Sequence, residues 1–383
     1  MRKELIQEFE NLREINQINM QRALDQGKKV VGMYCTFAPQ ELVLAAGAIP
    51  VGLCGTNEKP IPAAEKDLPR NLCALIKSSY GFGITDTCPY FNSASMIIGE
   101  TTCDGKKKMF ELMKELKPVH VMSLPPEAKT RAALEMWKSE MIRAKEAIEK
   151  ELGVEITEEK IRDAIKLINK EKRTRKALYD INQNKPALLA GTDMLKAAWL
   201  TTFASDKNNV IEMLDNLKVE LEKLAEQGDY YGDEKTLRIL LTGTPVGLGS
   251  EKVVRLVEEC GGNVVCLENC TGYKVVDVIV PEDPDRNVYD LLAETYIQMP
   301  CSVMSDNDGR INLLTELVSK FQVDGIIDLS WQACHTYNIE AHRIEKLAKE
   351  ELALPYLHIE TDYSTSDVEN LKVRIAAFLE MLQ

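Results

Sequence analysis

Ten cysteines lie along this 383-residue chain, and four share one context: just past an expected strand, at the mouth of an expected helix. Cys35 ends KKVVGMYC and precedes TFAPQELVLAAG, while Cys103 closes SMIIGETTC and opens DGKKKMFELMKEL. Cys270 follows NVVCLEN, and Cys334 follows VDGIIDLSWQA and begins a helix. In an open α/β sheet such positions collect in one crevice beyond the carboxyl ends of the strands. Thiolates gathered there, each near a helix N-terminus that favours negative charge, are what a soft metal or an iron–sulfur cluster requires.

The other cysteines sort by context. Cys260, on a helix before the glycines of EECGG, and Cys266, inside the apolar strand NVVCL, read as small core hydrophobes. Cys54 in VGLCGTNE and Cys88 in TDTCPYF are compatible with core packing and with ligation. Six remain: Cys35, Cys73, Cys103, Cys270, Cys301 and Cys334, three in each half of the chain. None are spaced as CxxC, so the compact signature of zinc ribbons and ferredoxins is absent. Position at strand ends, rather than spacing, carries the inference.

The elements that must hold these residues alternate. Strands are expected at 29–34, 49–53, 95–98 and 119–122, with helices at 40–46, 70–80 and 106–116 between them. From about residue 126 to 228 the pattern is almost continuous helix, with Gly153 as a stop and Thr157 as the N-cap of the next segment. The charge-rich faces of these helices read as solvated. Strands then return at 237–242, 263–267, 325–329 and 356–359, alternating with helices at 251–259, 288–298, 312–321, 335–351 and 367–382. The expected architecture is α/β: two Rossmann-like parallel-sheet lobes, residues 1–125 and 231–383, flanking a helical insertion, 126–230. The ligand site belongs in the cleft between the lobes.

Composition narrows the function. Hydrophobic residues make up 45% and charged residues 28%, the balance of an ordinary globular protein. A formal net charge of −13 disfavours nucleic acid and anionic membrane as partners. There is no signal-peptide h-region at the N-terminus and no apolar run of about 20 residues, which points to the cytoplasm. There thiols stay reduced, so ten cysteines do not form a disulfide framework.

Other constellations are weaker. LLTGTPVGLGSEKV matches neither a Walker A loop nor GxGxxG, and its glycines fit a tight turn with close backbone approach. His120 and His358 fall at or in apolar strands and His342 further along a helix. His335, directly after Cys334, is placed either as a proton donor or hydrogen bond beside a cluster, or as a first-turn polar residue. Glu268 and Lys274 flank Cys270 in LENCTGYK and are candidate proton sources if desolvated. Lys106, Lys107 and Lys108 oppose the macrodipole in a first helical turn; they would offset cluster charge, dock an acidic partner or form a solvated face, the last being commoner. Ser302 lacks a nucleophile-elbow context.

Together CTFAPQELVLAAGAIPVGLCG, RNLCALIKSSYG, TTCDGKKKMFELM, NCTGYK, PCSVM and WQACHTYNIEAHRIEK resemble the 2-hydroxyacyl-CoA dehydratase superfamily over nearly the whole chain. Dehydratase subunits of that superfamily hold one [4Fe–4S] cluster with three cysteines, which would match Cys73, Cys103 and Cys334. The added cysteines of CTFAP, NCTGYK and PCSVM resemble the double-cubane branch, in which six cysteines hold an [8Fe–9S] unit. Cys35, Cys270 and Cys301 would complete that set, with Cys54 or Cys88 as replacements. The resemblance implies a homodimeric reductase of small molecules, fed low-potential electrons by a separate ATP-hydrolysing [4Fe–4S] activator homodimer. Its alternatives are a dehydratase subunit with a single [4Fe–4S] cluster working through a ketyl radical, an electron-storage protein, and a zinc-stabilised module.

Overall fold

The structure is a computed structural model that describes residues 2–383, with side chains from residue 4. It contains two four-stranded parallel sheets. The first comprises β1 (Val30–Met33), β2 (Ile49–Gly52), β3 (Met96–Glu100) and β4 (Val119–Met122), in the order β2-β1-β3-β4. The second comprises β5 (Leu237–Gly243), β6 (Gly262–Leu267), β7 (Gly325–Trp331) and β8 (Tyr356–Thr361), in the order β6-β5-β7-β8. Every expected strand is present, in the expected two parallel-sheet lobes. The inner strands are covered on both faces and accordingly read as largely apolar runs, VVGM, MIIGE and GIIDLSW, every residue of them buried, Glu100, Asp328 and Ser330 included.

Both sheets share one topology. The chain leaves β1 for β2 on one side, then crosses to β3 on the other, and it repeats this from β5 to β6 to β7. Strand order therefore reverses between β1 and β3 and again between β5 and β7, creating at each place the crevice in which open α/β sheets take ligands.

Between β4 and β5 the chain is helical. Thr130 caps the helix Arg131–Leu152 through its hydroxyl, which accepts from Ala133 N at 3.2 Å. Gly153 ends that helix in the left-handed region at φ 68°, as the sequence predicts. Thr157 caps the next, Glu158–Asp180, accepting from Lys160 N. The helices Gly191–Leu200 and Lys207–Glu226 follow. The Glu158 helix packs against the Gln40–Ala45 helix of the first lobe and the Tyr273–Val276 turn of the second, so it touches both. The long N-terminal helix Arg2–Asp25 lies against the Gly191 helix, burying Ile6, Phe9 and Leu12 with Leu188 and Leu200. A further apolar core runs from Ile97 and Phe110 to Ile239, Ile327 and Trp331, joining the lobes directly. Among the described residues no helix is long and apolar enough to cross a membrane.

The glycine-rich turn after β5 is used in that junction. Gly243 adopts φ 108°, and a Cβ there would stand 2.1 Å from the Leu329 carbonyl oxygen. Thr56 of the first lobe fills the rest of the turn, donating to the Leu248 carbonyl at 2.9 Å. The turn serves close packing, in line with the sequence reading.

Candidate functional site

The carboxyl ends of the two sheets bring seven cysteines into one region, in two groups. Cys73, Cys103 and Cys334 form the first. Each occupies a helix N-cap: Cys73 before Ala74–Ile84, Cys103 before Asp104–Met113 and Cys334 before His335–Lys346. There the unpaired N–H groups favour a thiolate, and Cys103 Sγ accepts from Lys106 N at 3.5 Å. A hydrogen bond from the Cys334 thiol lowers the Cys73 pKa, and the same bond raises that of Cys334. For Cys103, burial outweighs the helix N–H groups and raises the pKa.

Cys35, Cys54, Cys270 and Cys301 form the second group. Cys35 lies just past β1, Cys54 past β2 and Cys270 past β6, and all three line a cavity of about 190 Å³. Cys301 is buried in the segment after the Val288–Tyr296 helix, 4.0 Å from the Tyr337 hydroxyl. Burial pushes the Cys270 thiol up to about 11, against the pull of Lys274, and burial also raises that of Cys35, against the pull of Lys106. Some surface of both remains accessible, but it opens on the cavity, so the electrostatic environment is that of the interior. Cys35 itself sits in the left-handed region at φ 63°, and Ala333, before Cys334, at φ 62°. Non-glycine residues held there cost about 1–3 kcal/mol each and cluster where a fixed geometry has a use.

Lys106 joins the two groups. Only 5% exposed, its ammonium lies 2.6 Å from Cys35 Sγ, and its charge also acts on Cys54 and Cys103. This corrects the expectation of a solvated face: Lys107 and Lys108 are exposed, while Lys106 turns inward. Tyr363, its hydroxyl bonded to the Gly55 carbonyl at 3.0 Å, stands among Cys73, Cys54, Cys334 and Lys106. Glu100, at the end of β3, is fully buried; it accepts from Ala38 N, and burial raises its pKa to about 7 despite Lys106. Sequence reading passed over Glu100, although an acid ending an apolar strand is the signal that would have found it.

Glu268 and Lys274 also lie at this site, fully buried. Their ion pair is 3.3 Å long, and Glu268 further contacts Thr242 and Arg310. Lys274 donates to the Tyr337 hydroxyl at 3.0 Å. Arg310, itself fully buried, reaches Glu340 and Asp328 as well. His335, the residue after Cys334, is exposed on the first turn of its helix. Cys88 caps the short helix Pro89–Ser93, accepting from Phe91 N at 3.4 Å, and lines no part of the cavity. Cys266 is buried within β6, and Cys260 packs at a helix end against the core.

The donor set suits an iron–sulfur cluster. It offers thiols on several elements, with two buried ammonium groups, Lys106 and Lys274, to offset the negative charge that thiolate-bound clusters carry. Among the described residues no three His, Cys, Asp or Glu side chains converge as one metal ion would need. Cluster ligands each take a different iron atom and do not require that convergence.

Comparison with known proteins gives the family. The sequence pattern of the family described as 2-hydroxyglutaryl-CoA dehydratase, D-component, matches residues 35–382. The chain is 47% identical over 378 residues to YjiM of Escherichia coli (strain K12), which is named only provisionally as a dehydratase subunit; the match covers 99% of this chain and 98% of that one. It is 24% identical to the (R)-phenyllactyl-CoA dehydratase beta subunit of Clostridium sporogenes, covering 93% of this chain and 92% of that one. It is 17% identical to a benzoyl-CoA reductase subunit of Thauera aromatica, covering 94% and 92%. By this match along nearly its whole length, the chain belongs to the 2-hydroxyacyl-CoA dehydratase superfamily.

Proposed function

We propose that the protein is an iron–sulfur reductase of small molecules. Cys35, Cys73, Cys103, Cys270, Cys301 and Cys334 would hold a double-cubane [8Fe–9S] cluster. The observation that carries this reading is the grouping of the thiols: a complete three-cysteine set, and beside it a second set that a single cubane would leave without a role. When bound, such a cluster supplies electrons at low potential. They would come from an ATP-hydrolysing [4Fe–4S] activator homodimer, and the chain itself would act as a homodimer.

The surrounding residues would do the rest. Lys106 offsets charge between the two thiol groups. Lys274 holds a proton at Nζ, beside the Tyr337 hydroxyl that leads toward Cys301; Glu268 keeps that ammonium charged against burial and the repulsion of Arg310, which the same carboxylate also pairs. His335, exposed next to Cys334, is suited to the docking face of the electron donor rather than to proton delivery inside the cavity.

A second reading is favoured by the names of the relatives, several of them dehydratase subunits: a 2-hydroxyacyl-CoA dehydratase subunit with one [4Fe–4S] cluster on Cys73, Cys103 and Cys334. Iron and acid-labile sulfide analysis of anaerobically purified protein separates the two. About eight irons per chain is the expected result, and about four would hand the function to the dehydratase reading.

A further inference from the structure

Three cations of the helical insertion line the cavity that Cys35, Cys54 and Cys270 line: Lys172 and Arg175 on the Glu158 helix, and Lys207 at the start of the next long helix. Their exposures are only 7%, 8% and 7%. The expectation that the insertion presents only solvated charge is therefore corrected at these positions. Lys207 and Lys106 are both first-turn cations, where the macrodipole opposes them, and both point inward.

Counting charge identifies what the wall lacks. Glu171 binds Arg175 at 2.7 Å and Lys207 at 3.1 Å. Lys172 has no carboxylate within ion-pair range among the described residues; it donates to the Val278 carbonyl at 2.8 Å and the Tyr296 hydroxyl at 3.2 Å. Glu41 lies behind that hydroxyl, accepting from it at 2.8 Å. Three cations thus face two carboxylates, leaving one positive charge in excess. An ammonium has three donors; Lys172 uses two here, and among the described residues Lys207 bonds only to Glu171. Buried charge left uncompensated costs several kcal/mol, which an anion entering the cavity would recover.

Much of the remaining wall is apolar, with Trp199 and Phe203 edge to face at 5.4 Å, while Lys106 lines the cavity on the cysteine side, beside Cys35. At about 190 Å³ the cavity is smaller than the roughly 300–1,000 Å³ clefts that enclose drug-sized ligands, a size that suits a ligand of a few carbons. The charges acting most strongly on Cys35 and Cys270 are those of Lys106 and Lys274, so the cationic patch occupies a separate part of the wall.

We propose that Lys172, Arg175 and Lys207 form a binding site for a small organic monoanion, a free carboxylate, whose apolar part lies in the cavity lined by the cysteines. This rests on the reductase reading in taking that ligand as the substrate class. The test is isothermal titration of anaerobically purified, iron-loaded protein with butyrate and with butyramide, its neutral counterpart, with Trp199 fluorescence as a second readout. Butyrate is expected to bind at least tenfold more tightly than butyramide. Lys172→Met and Lys207→Gln should each weaken butyrate at least tenfold, and Lys207→Arg should restore most of the loss. Equal binding of acid and amide, or undiminished binding in both charge-removing variants, overturns the site. So does butyryl-CoA binding more tightly than butyrate with the same dependence on Lys172. Iron is counted on the same samples: about four irons with charge-selective binding overturns the reductase reading alone, and about eight without it overturns this site alone.

Discussion

Replacing Lys106 with methionine is the sharpest test of how the thiol region is held together. Lys106, Lys107 and Lys108 are identical neighbours in sequence, yet only Lys106 is buried, with its ammonium 2.6 Å from Cys35. Two unit charges about 4 Å apart interact by about 4 kcal/mol at an effective dielectric constant near 20. At 1.36 kcal/mol per decade, losing that interaction with the thiolates would weaken retention of a bound cluster by about three orders of magnitude. Methionine keeps most of the packing volume and also removes the burial cost of the ammonium, itself several kcal/mol. The apoprotein should therefore lose much less stability than the loaded protein. The assay is anaerobic iron release under chelator challenge, paired with urea denaturation of the apoprotein. Lys107→Met is the control: Lys107 is half exposed and, among the described residues, pairs only with Asp104 on its own helix, at 3.2 Å, an interaction worth a few tenths of a kcal/mol. If Lys106→Met and Lys107→Met retain iron equally, or if apo and loaded forms lose the same stability, Lys106 is not the cation that balances these thiols.

Four further expectations follow from the same geometry. Cys54→Ser should keep wild-type iron content while Cys73→Ser loses iron; loss in Cys54→Ser would make Cys54 a ligand. Arg310→Met should cost about 3–5 kcal/mol in urea denaturation, because Glu268 and Asp328 would stay buried without their shared cation, and a cost below about 1 kcal/mol would contradict that. Gly272→Ala would put a Cβ 1.9 Å from the Leu267 carbonyl oxygen, next to Cys270; a loss of about 1–3 kcal/mol is expected, and a thermal midpoint like wild type would show that the turn can open. Glu171 supplies a pH dependence: burial alone would raise its pKa, but Lys207 and Arg175 overcome this and hold it at about 2, against an ordinary 4.5. Its ion pairs thus add about 3 kcal/mol above pH 4.5 that is lost as pH falls toward 2, and Glu171→Gln should flatten the fall in stability over that window.

The strands were legible because parallel strands covered on both faces leave largely apolar runs such as MIIGE and GIIDLSW, each bounded by polar turns. Gly153 and Thr157 were legible because a left-handed stop and an N-cap are local requirements. Cys266 could be assigned to the core from the strand around it. The inward cations were not legible. Nothing local separates Lys106 from Lys107, or Lys172 from Lys170 and Lys176; what separates them is the lobe or turn that packs over one face of the helix. Lys172 is buried because Val278 and Tyr296, more than 100 residues away, close over it. Arg310 gave no signal for the same reason, since Thr242, Glu268, Asp328 and Glu340 reach it from separate strands and helices.

The long intervals between the cysteines are a consequence of this topology. In a parallel sheet the chain returns to the same edge only after a complete strand and helix, so residues gathered at the carboxyl ends must come from different units. Cys35 follows β1 and Cys103 follows β3, the two strands that flank the order reversal of the first sheet, and Cys334 follows β7 at the corresponding place in the second. A compact motif such as CxxC brings its ligands together whatever the rest of the chain does. Here no short segment does so: Cys73 meets Cys334 only through the contact of the two lobes, and Lys106 meets Cys35 only through the pairing of β1 with β3. The site is therefore a product of the complete fold, and the energy of anything bound there is shared by both lobes.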